Sequence, residues 1–139
     1  MPLDLESLEK AVDTLHRSIL ITNQNMNTVD PALREVIRAG IIQQFEVAYE
    51  QCWKFMQRWL RENREPVESA HPRSRKELFR LAARHGLVSD PRPWFTFGEV
   101  RNLTTHTYDE TKAEKGYETA KQFLPHAQEL LQKLKQAND

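Results

Sequence analysis

The fold is decided by residues 31–63, whose sequence is PALREVIRAGIIQQFEVAYEQCWKFMQRWLREN. Asp30-Pro31 reads as an N-cap followed by proline at the first helical position. Adjacent residues lie ~100° apart around a helix, so two neighbouring apolar stripes give an arc wider than one partner covers. The stretch therefore predicts one helix of about 50 Å that is contacted from two sides, either centrally in a bundle or partly at a subunit interface. One stripe is Leu33, Ile37, Ile41, Phe45, Ala48, Cys52, Phe55 and Trp59, and the other is Ile42, Tyr49, Trp53, Met56 and Leu60.

Two further helices are predicted by periodicity and by their end signals. The first runs to about Ile21, because its apolar residues recur at three- and four-residue spacing. A short helix spans residues 75–85, between the capping-box pattern of Ser74 and Glu77 and the terminator Gly86. The stripe of the first helix is Leu5, Leu8, Val12, Leu15 and Ile19.

Two more helices complete the chain. Asp90-Pro91 restarts it before a helix that carries Trp94, Phe97, Val100 and Leu103 or Thr104. Asp109 is the expected N-cap of the last helix, in which Pro125 predicts a kink or a break. No stretch alternates with period two, so the predicted fold class is all-α: an antiparallel up-down bundle of four main helices plus one short helix, in a single domain of residues 1–139. The stripe of the last helix is Ala113, Tyr117, Ala120, Leu124, Ala127, Leu131 and Leu134.

Composition bounds the function classes. No window approaches the ~18 apolar residues of a membrane span, and the N-terminus lacks the pattern of a secretory signal. The single cysteine, Cys52, cannot form an internal disulfide, so a cytoplasmic location is expected. Charge is uneven: residues 54–92 hold ten Lys/Arg and five Asp/Glu, whereas residues 1–53 hold four and eight. This basic middle indicates either a phosphate-rich partner or an ordinary solvated helix face.

The candidate site is the segment RNLTTHTYDE, residues 101–110. Arg101 offers a fixed fork of donors for phosphate, and His106 is suited to proton transfer near neutral pH. If the helix continued through the segment, Arg101, Thr104, Thr105 and Tyr108 would share one face, with Asn102 and His106 on the adjacent one. One phosphate could then touch both Arg101 and His106.

The spacing of Arg101 and His106 is not informative alone, because Arg80 and His85 repeat it. In that copy His85 suits the C-terminus of a capped helix, which is a structural role. A polar helix end with His106 as an ordinary cap is likewise the alternative for the second copy. The sequence offers no recognised metal spacing among its five histidines and no Gly-rich phosphate loop, so neither a metal nor a cofactor is expected.

Arg101-Asn102-x3-His106-x-Tyr108 near the end of a penultimate helix resembles the HEPN superfamily, specifically its HepT-like toxins and nucleotidyltransferase substrate-binding proteins. The likeness spans essentially the whole chain, including Pro91-Arg92-Pro93-Trp94 before the motif and Thr-His-Thr-Tyr-Asp-Glu in it. It implies a two-fold homodimer encoded beside a minimal nucleotidyltransferase. Many such proteins are metal-independent ribonucleases of toxin–antitoxin pairs, silenced when the partner adds AMP to a tyrosine (AMPylation).

Carried over by position, the resemblance implies that Arg101 and His106 are catalytic. Asn102 and Thr105 would be supporting polar residues, and Tyr108 would be the AMPylation target. Three hypotheses stay open: a ribonuclease acting on RNA, a non-catalytic subunit that presents Tyr108 or a nucleotide-type substrate to the nucleotidyltransferase, and a helical adaptor that uses the wide apolar arc.

Overall fold

The computed structural model describes residues 3–63, 74–106 and 109–138. Over these residues the chain forms helices and no strand, as the sequence predicts. The four long helices are α1 (Glu6–Asn25), α2 (Pro31–Asn63), α4 (Arg92–Leu103) and α5 (Glu110–Ala137), and the short one is α3 (Arg75–Arg84). None of the helices described is long and apolar enough to cross a membrane.

The ends of the helices follow the predicted caps. The carboxylate of Asp30 accepts from Leu33 N at 2.9 Å, and that of Asp109 accepts from Lys112 N at 3.1 Å. Ser74 Oγ accepts from Glu77 N at 3.2 Å at the start of α3. Gly86 follows α3 with φ +81°, a left-handed conformation that glycine adopts at little cost. Local side-chain chemistry therefore sets the ends of these helices.

One predicted boundary is wrong. α1 continues to Asn25 rather than ending near Ile21, because Thr22 is buried and its hydroxyl donates to the Ser18 carbonyl at 2.7 Å. At Pro125, where the sequence predicts a kink or a break, α5 continues without a break. Pro125 is exposed, so it lies on the solvent side of α5.

The long helix α2 is central, as its wide apolar arc predicts. It contacts α1, α3 and α5, and its buried residues run from Ile41 to Leu60. The prediction fails in its first turns, where Leu33 is 45% exposed. Val36 and Val47 are also exposed, at 67% and 51%. Val36 and Val47 lie opposite the buried arc, whereas Leu33 lies at its edge, within about 60° of them.

An aromatic cluster fills the junction of α2, α3, α4 and α5, beneath the candidate site. Phe97 meets Phe123 edge to face with ring centroids 5.3 Å apart, and Trp94 meets Phe123 at 5.7 Å. Such edge-to-face pairs favour a single packing arrangement. The cluster therefore fixes the position of α4 against α5. Its members are Phe45, Tyr49, Phe79, Trp94, Phe97 and Phe123.

Candidate functional site

The predicted motif straddles the end of α4. Arg101 lies in the last turn, the α-helix stops at Leu103, and a 3₁₀ turn follows over Thr104–His106. The predicted α-helical face is therefore wrong beyond Leu103, because a 3₁₀ turn has about three residues per turn and rotates the later residues. Thr104 is buried and Thr105 exposed, so the two threonines do not share a face. The side chain of His106 and the whole of Tyr108 lie outside the described parts of the structure.

Arg101 is held by a carboxylate that reaches it from α2. Glu46 Oε2 lies 3.2 Å from Arg101 Nη1. The same oxygen lies 2.8 Å from Thr104 Oγ1, whose single proton it shares with the Arg101 carbonyl at 2.7 Å. Both members of the ion pair are partly buried, with side chains 28% and 26% exposed, so the interaction is screened less than a surface pair. Glu46 therefore ties the guanidinium to the turn that leads to His106.

A second carboxylate, Glu50, stands one helical turn further along α2. Its Oε1 is 3.9 Å from Arg101 Nε, and its Oε2 accepts from Trp53 Nε1 at 3.0 Å. Arg101 Nε is buried and has no hydrogen-bond partner among the described residues, so this second contact is loose. Because a guanidinium carries five N–H donors, the contacts with Glu46 and Glu50 leave donors for a phosphate.

The 3₁₀ turn packs closely on α5 at Gly116. A Cβ at position 116 would lie 2.9 Å from Thr104 Cγ2 and 3.4 Å from Ile42 Cδ1. Only a residue without a side chain permits this approach. Thr104 is consequently 3% exposed, wedged between α2 and α5. The turn is therefore fixed on one side by the hydrogen bond to Glu46 and on the other by the surface of Gly116.

Asn102 and Thr105 lie on other sides of the helix end. The side chain of Asn102 lines a groove between α3 and α4, whereas Arg101 faces α2. Thr105 Oγ1 donates to the Asn102 carbonyl at 3.0 Å. This hydrogen bond satisfies a carbonyl that has no partner within the helix because the helix ends there. The structure therefore brings Arg101 together with Thr104 and separates it from the side chain of Asn102.

The linker to Tyr108 is anchored at its far side as well. Arg38 on α2 makes a bidentate ion pair with Glu110 at 2.7 and 2.8 Å and contacts Glu114 at 3.3 Å. The Arg38 side chain is 12% exposed, and its hydrogen bonds hold the pKa of Glu110 below its usual value. The chain is thus clamped to α2 both before His106 and after Tyr108.

The residues that the sequence did not single out are Glu46 and Glu50. They lie four apart beside the apolar arc of α2, a spacing that also suits ordinary solvated glutamates. Their role depends on a helix that is distant in the chain, so the pattern of α2 alone could not reveal it. Within residues 3–63, 74–106 and 109–138, no three His, Cys, Asp or Glu side chains group in a way that could hold a metal ion.

Comparison with known proteins agrees with this architecture. A solved protein from Haemophilus influenzae, HI0074, described as having the fold of a substrate-binding domain of a nucleotidyltransferase, superposes with a TM-score of 0.88 at 30% identity, covering 95% of this chain and 99% of that one. A crystal structure of a Thermus thermophilus protein superposes with a TM-score of 0.72 at 29% identity, covering 91% and 98% of the two chains.

Sequence comparisons give the same result. A Haemophilus influenzae protein named probable ribonuclease HepT is 33% identical over 138 residues, which cover 98% of this chain and 94% of the relative. The family model described as nucleotidyltransferase substrate binding protein like matches residues 3–136. With its all-helical fold and near-complete coverage, this chain belongs to the family of nucleotidyltransferase substrate-binding-like, HepT-related proteins.

Proposed function

We propose that this protein is the ribonuclease toxin of a toxin–antitoxin pair, acting as a homodimer and paired with a minimal nucleotidyltransferase. The observation that carries the proposal is the hold on Arg101: Glu46 binds it at 3.2 Å while 28% of its side chain stays exposed. A phosphate-binding arginine needs both a fixed position and access to the ligand. The name of the Haemophilus relative, probable ribonuclease HepT, supports the same activity.

In the proposed reaction, RNA is cut without a metal ion. One His106 imidazole removes the proton of a ribose 2′-hydroxyl, whose oxygen attacks the neighbouring phosphorus. The bond from phosphorus to the 5′-oxygen breaks, a second imidazole protonates that oxygen, and a 2′,3′-cyclic phosphate remains. Arg101 stabilises the extra negative charge of the transition state.

The reaction uses two His106 imidazoles, and each chain supplies one. The proposal therefore includes a homodimer. Leu33, Val36 and Val47 give one side of α2 an exposed apolar surface, and Leu103 at the end of α4 is 37% exposed. We propose this surface as part of the contact between the two copies. In the proposed dimer, the two Arg101–His106 segments face one another across the two-fold axis.

Tyr108 is the proposed site at which the partner silences the toxin. The tyrosine hydroxyl would attack the α-phosphorus of ATP, lose its proton, and release pyrophosphate as AMP is attached. The added nucleotide brings a negative charge and bulk. Tyr108 lies two residues after His106, in a linker clamped by Glu46 and Arg38. The modified side chain would therefore stay near the proposed cleft and exclude RNA.

The test is RNA cleavage by the purified protein in the presence of EDTA. We expect cleavage of single-stranded RNA, ending in cyclic phosphates, and its loss in His106→Ala and Arg101→Ala. His16→Ala is the matched control, since it removes an imidazole on α1, outside the site described above. Cleavage by His106→Ala at the wild-type rate would contradict the proposal, as would a protein that remains monomeric at micromolar concentration.

A non-catalytic subunit that presents a substrate to a nucleotidyltransferase is the second candidate, supported by the description of HI0074 as a substrate-binding domain. Incubation with the partner and radiolabelled ATP separates the two. The second candidate is favoured if the wild type becomes labelled and Tyr108→Phe does not, and if the unlabelled protein does not cleave RNA. Loss of RNA cleavage in step with labelling of Tyr108 would favour the first.

A further inference from the structure

A groove of about 400 Å³ lies between α3 and α4. Its volume falls within the ~300–1,000 Å³ range of small-molecule sites. Asn102 closes one end, directly beside Arg101 in the chain. The groove thus begins at the motif and runs back along α4. It is lined by Tyr49, Arg75, Lys76, Phe79, Phe95, Gly98, Glu99 and Asn102.

The floor of the groove is built by close packing of Tyr49 on Gly98. A Cβ at position 98 would lie 2.8 Å from the Tyr49 hydroxyl oxygen, so a side chain there would fill the groove and displace the tyrosine. Arg75 donates to that hydroxyl at 3.5 Å and lies over the Trp53 ring at 4.4 Å from its centroid. Arg75 therefore lines the groove with its guanidinium held in place by Tyr49 and Trp53.

At the far end of the groove, Phe95 and Lys76 are part of the lining, and Arg80 lies beside them. Lys76 Nζ lies 5.6 Å and Arg80 Cζ 5.2 Å from the centroid of Phe95. Lys76 and Arg80 are exposed and one helical turn apart on α3, while Phe95 is half-buried against Phe79. A flat ring flanked by cations on a basic helix is the combination that binds single strands, because bases stack on the ring while cations contact the phosphates.

We propose that this groove binds the single-stranded RNA next to the scissile phosphate, with a base on Phe95 and phosphates at Lys76 and Arg80. The proposal rests on the ribonuclease function proposed above and adds the path of the substrate. Asn102 connects the groove to Arg101, so a strand that lies in the groove reaches the motif without leaving α4. An acidic partner protein would match the two cations but would not account for the aromatic ring that lies between them.

The test is the affinity of a fluorescein-labelled 12-nucleotide single-stranded RNA, measured by anisotropy in the His106→Ala background so that the probe stays intact. We expect Lys76→Gln/Arg80→Gln to weaken binding about tenfold or more. The slope of log Kd against log salt should fall by about 1.4, since each phosphate contact on a single strand contributes ~0.7. Phe95→Leu should weaken binding and leave the salt slope unchanged, because it removes stacking without removing charge.

The matched control is Lys10→Gln/Arg17→Gln, which removes two exposed basic side chains from α1 and changes the net charge by the same amount. If Lys76→Gln/Arg80→Gln leaves affinity and salt slope unchanged, while the protein with His106 intact still cuts RNA, the proposed role of the groove is wrong and the ribonuclease proposal stands. Weakened binding of the nucleotidyltransferase with unchanged RNA binding would also overturn the role of the groove, in favour of a protein contact. If the wild type neither binds nor cleaves RNA, both the ribonuclease proposal and the proposed RNA-binding groove are wrong.

Discussion

Glu46 and Arg101 form an ion pair between α2 and α4, with Glu46 Oε2 3.2 Å from Arg101 Nη1. The glutamate oxygen also accepts from Thr104, so a single carboxylate orients the guanidinium and the turn after it. Glu46 does not need to touch RNA to matter. It acts through Arg101, as a positioning residue.

Glu46→Gln should therefore impair cleavage more than substrate binding. The amide keeps an acceptor for Thr104 but removes the negative charge opposite Arg101. We expect kcat for RNA cleavage to fall about 10- to 100-fold, the cost of a misplaced transition-state group, with KM changed little. Steady-state cleavage of a fluorogenic RNA measures both constants.

Thr104→Val is the matched control for Glu46→Gln, because it removes the hydroxyl and leaves the ion pair. Its effect on kcat should be the smaller of the two, whereas its unfolding free energy should fall by about 1 kcal/mol through loss of one hydrogen bond. Equal kcat values for Glu46→Gln and wild type would rule out the positioning role of Glu46.

The two helical glycines Gly116 and Gly40 should respond to alanine in opposite directions. Gly116→Ala brings a methyl group to 2.9 Å from Thr104 Cγ2 in a buried site, so we expect a loss of about 1–3 kcal/mol in unfolding free energy from overpacking. Gly40 has nothing within 4 Å of its would-be Cβ, and Gly40→Ala should stabilise α2 by about 0.5–1 kcal/mol. Urea denaturation of the two variants gives both values. If Gly116→Ala raised the unfolding free energy, the 3₁₀ turn at Thr104 would have to be able to move away from α5.

The packing of Tyr49 on Gly98 predicts a rescue. Gly98→Ala should destabilise the fold by about 1–3 kcal/mol, because the methyl group meets the Tyr49 hydroxyl oxygen at 2.8 Å in the core. Tyr49→Phe removes that oxygen and should cost about 0.5–1.5 kcal/mol alone, the net value of a hydrogen bond. The unfolding free energy lost in Gly98→Ala/Tyr49→Phe should be smaller than the sum of the losses in the two single variants. Simple additivity in urea denaturation would mean that the contact is not the cause.

The sequence predicts the helices well because their signals are local. Asp30, Ser74 and Asp109 cap helices through backbone groups within three residues. The apolar stripe of α1 likewise predicts its buried residues, and most of the stripe residues of α2 from Ile41 to Leu60 are buried as predicted. The fold class follows from these patterns without knowledge of any tertiary contact.

The details of the site could not be predicted in the same way. The change from α-helix to 3₁₀ turn after Leu103 is tied to Thr104, which fits between Glu46 and Gly116, residues 58 positions before it and 12 after it. Neither neighbour carries a recognisable signal in the local sequence. The prediction of a continuous helical face failed for this reason, since periodicity assumes a regular helix where tertiary packing imposes another geometry.

The ion pair between Arg38 and Glu110 makes a further prediction, for the pH dependence of stability. Hydrogen bonds from Arg38 hold the pKa of Glu110 below its usual 4.5. A carboxylate with a depressed pKa in the folded state stabilises the protein at pH values above its unfolded pKa, and the stabilisation is lost as the pH falls through the folded pKa. Wild type should thus be more stable than Glu110→Gln at pH 6, and the difference should shrink as the pH falls below 4.5.

Chemical denaturation of the two proteins between pH 3 and pH 7 measures this difference. The control is the same comparison in an Arg38→Gln background, where Glu110 has lost its bidentate partner. There, Glu110→Gln should change stability by a smaller amount, with less dependence on pH. A difference that stays constant down to pH 3 would mean that Glu110 does not depend on Arg38 for its charge, and that the clamp after Tyr108 is weaker than its geometry indicates.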